Sequence, residues 1–217
     1  MRKKGLSSIT KKLIMAVTGG ALVFFLLFHG AMNVVSIFSA DGYRWICEFL
    51  GANWYAIVGT MGLAVLMVFH LIYAFVLSLD NYMTRGRQRY AVNERPDGVS
   101  WASKNMLAIG AFILFGLVLH LVDFWSKMQL AEIKGGASVD GIDQIKFIFS
   151  NNYFSVMYLL WLVAIWFHLS HGIASVMQSI GWNNLVWQRR IEWLGKFFAI
   201  VIVLMFASVV IYYWLII

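Results

Sequence analysis

The chain has 217 residues, of which 61% are hydrophobic and only 12% charged, with a single proline. Charge is too scarce to cover a globular surface, which excludes a water-soluble domain and makes lipid the solvent. The net charge of +7 does not point to nucleic acid, because no separate basic domain exists to bind it.

Five apolar runs follow in chain order: Leu13–Phe38, Trp54–Leu79, Asn105–Trp125, Tyr153–Ser179 and Trp193–Ile217. Each exceeds the roughly 20 residues that cross a bilayer as a helix. The loops between them are too short for a soluble domain. The predicted fold is therefore an all-α membrane protein, a single five-helix transmembrane bundle over residues 1–217. The first run is too long for the apolar core of a signal peptide and lacks a small-residue cleavage site.

Lys and Arg set the expected orientation. Arg2, Lys3, Lys4, Lys11 and Lys12 precede the first run, and Arg85, Arg87, Arg89, Arg95 and Lys104 lie around the second loop. Arg189, Arg190 and Lys196 flank the start of the fifth run. The other side has only Arg44, Lys127, Lys134 and Lys146. The N-terminus is expected in the cytoplasm and the C-terminus outside.

The first four runs carry all five histidines. Ionisable side chains are costly in hydrocarbon, so intramembrane histidines are functional candidates by default. His29 lies about 25 Å from the cytoplasmic edge at 1.5 Å rise per residue, near the outer side. The second run turns back and puts His70 near the inner side. The third puts His120 near the outer side, and the fourth puts His168 near the inner side. Depth thus pairs His29 with His120 and His70 with His168. One iron takes an imidazole from each side, so the pattern predicts two stacked b-type haems with these four residues as axial ligands. His171, three residues after His168, shares its helix face and is either an alternative ligand or a partner of a haem propionate. Zinc fits less well, because a compact zinc site needs three or four ligands at one level and each level holds a histidine pair. The lone Cys47 forms no internal disulfide, and no C-x-x-C-H motif exists for covalent haem attachment. Gly30, Gly116, Gly172 and the Gly19-Gly20 pair leave room either for a porphyrin or for close helix packing.

Several segments are similar to a known group: Ser7-Ser8-Ile9, Thr18-Gly19, His29-Gly30-Ala31-Met32-Asn33, Phe69-His70-Leu71-Ile72-Tyr73, His120-Leu121-Val122-Asp123-Phe124-Trp125 and Phe167-His168-Leu169-Ser170-His171-Gly172. Over almost its whole length the chain resembles the cytochrome b membrane anchor of succinate dehydrogenases and fumarate reductases, of the single-anchor kind with five helices and two haems. In that family three residues separate the fourth-helix ligand from a glycine. His168 and Gly172 fit this spacing and His171 does not. The resemblance implies a flavoprotein and an iron–sulfur subunit docked on the cytoplasmic side of a bacterial membrane, and electron exchange with a membrane quinone, menaquinone above all. It allows a dimer of the whole complex. Some members have a glutamate for proton passage two residues before the fourth-helix ligand. That position is Trp166 here, so this proton route is not carried over.

Quinone reduction takes up two electrons and two protons, and a carboxylate near the outer haem suits the proton transfer. Asp41, Glu48 and Asp123 are the outer-side candidates. Glu48 is favoured, because some family members use an acidic residue in this stretch. Asp123 is second, three residues after His120 on its face. Trp45, Trp54, Trp125, Tyr212, Tyr213 and Trp214 fit either a quinone site or an interfacial aromatic belt. A near alternative is the di-haem cytochrome b of a nitrate reductase, hydrogenase or formate dehydrogenase. A distant one is a small proton-coupled transporter, although neither internal repeats nor broken helices are evident.

Overall fold

The computed structural model describes residues 6–85, 101–182, 184 and 187–216. Five of its helices are long and apolar enough to cross a membrane. They are α1 (Ser8–Phe38), α3 (Trp54–Arg85), α5 (Met106–His120) continued by a π-helical turn (Leu121–Trp125), α8 (Asn152–Ser179) and α9 (Gln188–Leu215). Four shorter helices join them: α2 (Ala40–Phe49), α4 (Trp101–Lys104), α6 (Gln129–Ile133) and α7 (Gly141–Phe149). No strand occurs among the described residues. Arg2, Lys3, Lys4, Arg87, Arg89 and Arg95, and the side chain of Arg85, lie outside the described part.

Local chemistry moves the helix ends beyond the apolar runs. The Ser7 side chain accepts from the Thr10 amide at 3.1 Å, a helix-starting cap that begins α1 five residues before its apolar stretch. Ser39, with extended backbone, ends α1 and caps α2 by accepting from the Gly42 amide at 3.0 Å. The last turn of α8 closes on Gly181, whose φ of +92° only glycine adopts without strain. Helix α9 starts at Gln188 rather than Trp193, so Arg189 and Arg190 lie within its first turn.

Helix α8 packs most extensively on α9, and α1 packs on α3, α8 and α9. Helix α5 packs on α8 and only briefly meets α3. The histidine-bearing helices α1, α3, α5 and α8 therefore form a four-membered ring, loosest between α3 and α5. Helix α9, without a histidine, packs outside it. Leu162, Ile165, Leu169 and Ile173 of α8 meet Ala199 and Ile202 of α9 in the main core. Phe24, Val65, Phe69, Phe115, Leu160 and Leu204 are exposed. Such apolar surfaces suit hydrocarbon, where backbone groups satisfied within helices carry no penalty.

One end of the bundle is capped. Ile142, Ile145, Ile148 and Phe149 of α7 are each 5% exposed or less and pack with Tyr43, Tyr158, Val209 and Tyr213. The segments read from sequence as plain outer loops thus form a packed layer. Gln129 ties it together: its carbonyl accepts from Thr60 and Trp125 at 2.9 Å each, and its amide donates to Gly51 O at 2.9 Å. At the opposite end, Lys11 pairs with Asp80 at 2.6 Å and joins α1 to α3.

Candidate functional site

The ring brings four histidines together as two pairs. His29 of α1 meets His120 of α5, with ring centroids 5.9 Å apart and planes at 77°. His70 of α3 meets His168 of α8 at 6.1 Å and 64°. Each pair joins diagonally opposite helices. Two metal–nitrogen bonds of about 2.0–2.1 Å, plus the radius of each imidazole, place the centroids of two rings on one metal close to this separation. In centroid spacing and donor type each pair would suit a haem iron. Among the described residues no three His, Cys, Asp or Glu side chains converge, and the histidines stand as pairs.

The pairs occupy two levels. Gly19 and Thr18 of α1 touch His70, and His29 is ten residues beyond Gly19, about 15 Å further along the helix. The pair at the capped end has an aromatic surround. Phe25 stacks on His29 at 5.2 Å and Phe206 lies 5.6 Å away. Phe124, Trp161 and Tyr158 surround His120 at 5.2, 5.9 and 6.4 Å. Asn33, one turn beyond His29, donates to its carbonyl at 2.8 Å, and its amide nitrogen lies 3.4 Å from Nδ1 of the ring. The Tyr43 hydroxyl donates to the Asn33 carbonyl oxygen at 3.3 Å, linking α2 to this pair.

At the other level the Thr18 hydroxyl donates to Ile14 O at 2.8 Å and lies 3.4 Å from His70 Nδ1. With its proton committed to the backbone, that oxygen is free to accept from Nδ1–H. This tautomer leaves Nε2 as the lone-pair nitrogen, as when a metal-binding histidine donates its other N–H to a neighbouring oxygen. A Cβ at Gly19 would stand 3.4 Å from His70 Cε1, so glycine leaves space for the ring. His168 Nδ1 is buried with no hydrogen-bond partner in the described protein. His171 lies one turn on and makes no ring contact with His70 among the described residues.

The other glycines divide. A Cβ at Gly30 would meet Met205 Cε at 3.0 Å, so Gly30 serves close packing of α1 on α9. At Gly116 it would run into the Trp161 indole, whose Nε1 donates to Ile113 O at 3.0 Å. Gly172 has nothing within 4 Å.

The carboxylates separate as clearly. Glu48 is exposed near the end of α2, and its carboxylate makes no hydrogen bond or ion pair among the described residues. Asp41 is exposed and pairs with Arg44 at 3.1 Å. Asp123 is half-buried in the π-helical turn and accepts from the Tyr158 hydroxyl at 2.8 Å. Ser126 N bonds Leu121 O at 2.8 Å, the i→i−5 bond of the turn. Buried Gln144 of α7 donates to Asp123 O at 2.6 Å, and π turns are frequent at functional sites. Tyr158 and Gln144 escaped the sequence reading because they approach Asp123 from 35 and 21 residues away.

Among the interfacial aromatics, Tyr213 is 3% exposed and donates to Ser36 O at 2.9 Å, while Trp214 donates to Asn152 at 2.7 Å. These two join helix ends. Trp45 and Trp54 face outward. Comparison with known protein families, with curated proteins and with solved structures finds no match, so the imidazole pairs carry the functional reading.

Proposed function

We propose that this chain is a di-haem cytochrome b that anchors a succinate dehydrogenase or fumarate reductase in the bacterial cytoplasmic membrane and exchanges electrons with quinone. The observation that carries this reading is the two imidazole pairs, on four different helices, at two levels of one bundle. A single buried histidine pair would serve many roles, but two stacked pairs suit passage of electrons across the membrane. His29 and His120 would hold the outer haem, and His70 and His168 the inner one. When bound, the haems supply one-electron redox centres. Thr18 orients His70, and the phenyl and indole rings around His29 and His120 exclude water. Asp123, which accepts from Tyr158, would exchange protons with a quinone, and that bond supports it ahead of the exposed Glu48. The resemblance in the sequence supplies the partners, a flavoprotein and an iron–sulfur subunit on the cytoplasmic side.

The test is haem content and company. The chain purified from its native membrane should carry two non-covalent b-type haems by pyridine haemochrome analysis. It should co-purify with a flavoprotein and an iron–sulfur protein. One haem or none per chain would sink the di-haem assignment. Two haems with nitrate reductase, hydrogenase or formate dehydrogenase subunits would transfer the chain to one of those complexes.

A further inference from the structure

Helix α1 treats the two imidazole pairs differently. At the level of His70, Thr18 is 5% exposed, so little water competes for its oxygen. Its hydroxyl donates to Ile14 O at 2.8 Å, with Met15 O at 3.2 Å, and lies 3.4 Å from His70 Nδ1. Gly19 follows without a side chain, and a Cβ there would meet Cε1 and Nδ1 of His70 at 3.4 and 3.7 Å. The ring thus turns its Nδ1–Cε1 edge to α1. At the level of His29, Asn33 also stands 3.4 Å from Nδ1, but through its amide nitrogen. That nitrogen donates to His29 O at 2.8 Å, and the Tyr43 hydroxyl donates to the amide oxygen at 3.3 Å. Asn33 therefore offers His29 no acceptor. On α8, His168 Nδ1 is buried with no hydrogen-bond partner among the described residues.

We infer that Thr18 is a positioning residue that makes His70 the more electron-donating of the imidazoles and so lowers the potential of the inner haem without touching the outer one. The inference rests on the di-haem reading above and gives one residue the task of setting the two centres apart. A hydroxyl whose proton is committed to its own helix can only accept from His70. It therefore selects Nδ1–H and directs the Nε2 lone pair away from α1. A histidine that donates its other N–H to an oxygen is a more basic ligand. A more basic ligand favours the oxidised, more positive iron, and hydrogen bonding of this kind is one of the levers on haem potential. Burial strengthens the bond, because a hydrogen bond in a low dielectric gains electrostatic strength. Neither Asn33 nor the surround of His168 Nδ1 supplies such an acceptor, so the effect belongs to His70. A Thr18 that only bonds back to Ile14 O, as threonines in helices often do, would have no influence on that potential.

The experiment is optical redox titration of the intact complex in its membrane, resolved into two b-type components. The component missing from His168→Ala is the inner one. Thr18→Val keeps the branched shape and removes the hydroxyl. It should raise the inner midpoint potential by about a tenfold change in the oxidation equilibrium, the low end for losing such a partner, which is about 59 mV for one electron. The outer component should stay in place. Thr18→Ser retains an acceptor and should keep the original potential. Should Thr18→Val displace the haem, Thr18→Ala removes the hydroxyl without adding bulk and should show the same rise. An unshifted inner component in Thr18→Ala would overturn the role, as would an equal rise in Thr18→Ser or a shift confined to the outer component. Each of those results leaves the di-haem reading standing. An unaltered complex without two b-type components would remove that reading instead.

Discussion

His168 and His171 stand three residues apart on α8, yet only His168 meets the His70 ring. The pairing geometry and the glycine spacing of the resembled family favour the same residue on independent grounds. His168→Ala should therefore lose the inner haem, while His171→Ala should keep both with altered potential, as read from optical redox titration. Loss of haem from His171→Ala alone would reverse the assignment. The carboxylates differ in the same residue-level way. Asp123 has a phenolic donor and a neighbouring imidazole pair, whereas Glu48 faces outward. Asp123→Asn keeps the shape and removes the titrating group. It should slow quinone turnover by roughly 10²-fold, at the low end for loss of general acid–base catalysis. Succinate oxidation with an artificial acceptor at the soluble subunits should be unaffected. Glu48→Gln should leave both activities near normal. A large quinone defect in Glu48→Gln, with Asp123→Asn intact, would restore Glu48 as the relay. The histidines were legible in the sequence because ionisable groups are rare in apolar runs. Thr18, Asn33 and Tyr158 were not legible as their partners, since hydroxyl and amide side chains are common in such helices.

The short helices α2, α6 and α7 form the least anticipated element. Helix α7 buries Ile142, Ile145, Ile148 and Phe149 on one face, the i, i+3, i+6, i+7 spacing of an amphipathic helix. Its charged residues disguise it as a loop when whole apolar runs are sought. Its start depends on Asp140, which accepts from the Ile142 and Asp143 amides at 2.9 and 3.1 Å and from Arg44 at 2.8 Å. Partial burial works against the Asp140 carboxylate, but these bonds outweigh it and hold its pKa below the ordinary 3.8. A lowered carboxylate pKa stabilises the fold above its unfolded value and loses that contribution as pH falls through the folded value. The cap should therefore loosen only below about pH 3.8. Asp140→Ala should remove the acid step and cost about 1 kcal/mol, the usual value of a helix N-cap. Hydrogen exchange of the α7 amides as a function of pH measures both effects. Equal acid lability in the variant would mean that Asp140 does not hold the cap.

Across the whole molecule, orientation is the quantity that charge alone predicts. The arginine-rich segment after α3 should face the cytoplasm, where it would help dock the soluble subunits. Asn93→Cys should then resist an impermeant maleimide on intact cells and react after permeabilisation. Lys134→Cys, on the opposite side, should react on intact cells. The native thiol interferes little, because burial pushes Cys47 up to about 11 and keeps it protonated near neutrality. Labelling of Asn93→Cys in intact cells would invert the molecule and the electron path with it.

Five long apolar helices, the levels of four histidines and the scarcity of surface charge follow from the sequence by itself. Each is a property of a residue's distance along its own helix, set by the fixed rise of the α-helix. Only the tertiary structure decided which helices lie diagonally across the ring, that α9 packs outside it, and that His168 rather than His171 faces His70. The same holds for Gly30 packing against Met205 while Gly19 lies under His70. These depend on the rotation of each helix about its axis and on the neighbours it meets. Lipid exerts no directional pull on an apolar face, so the hydrophobic pattern leaves that rotation open. Contacts between α-helices, and bonds such as Tyr158 to Asp123, select it.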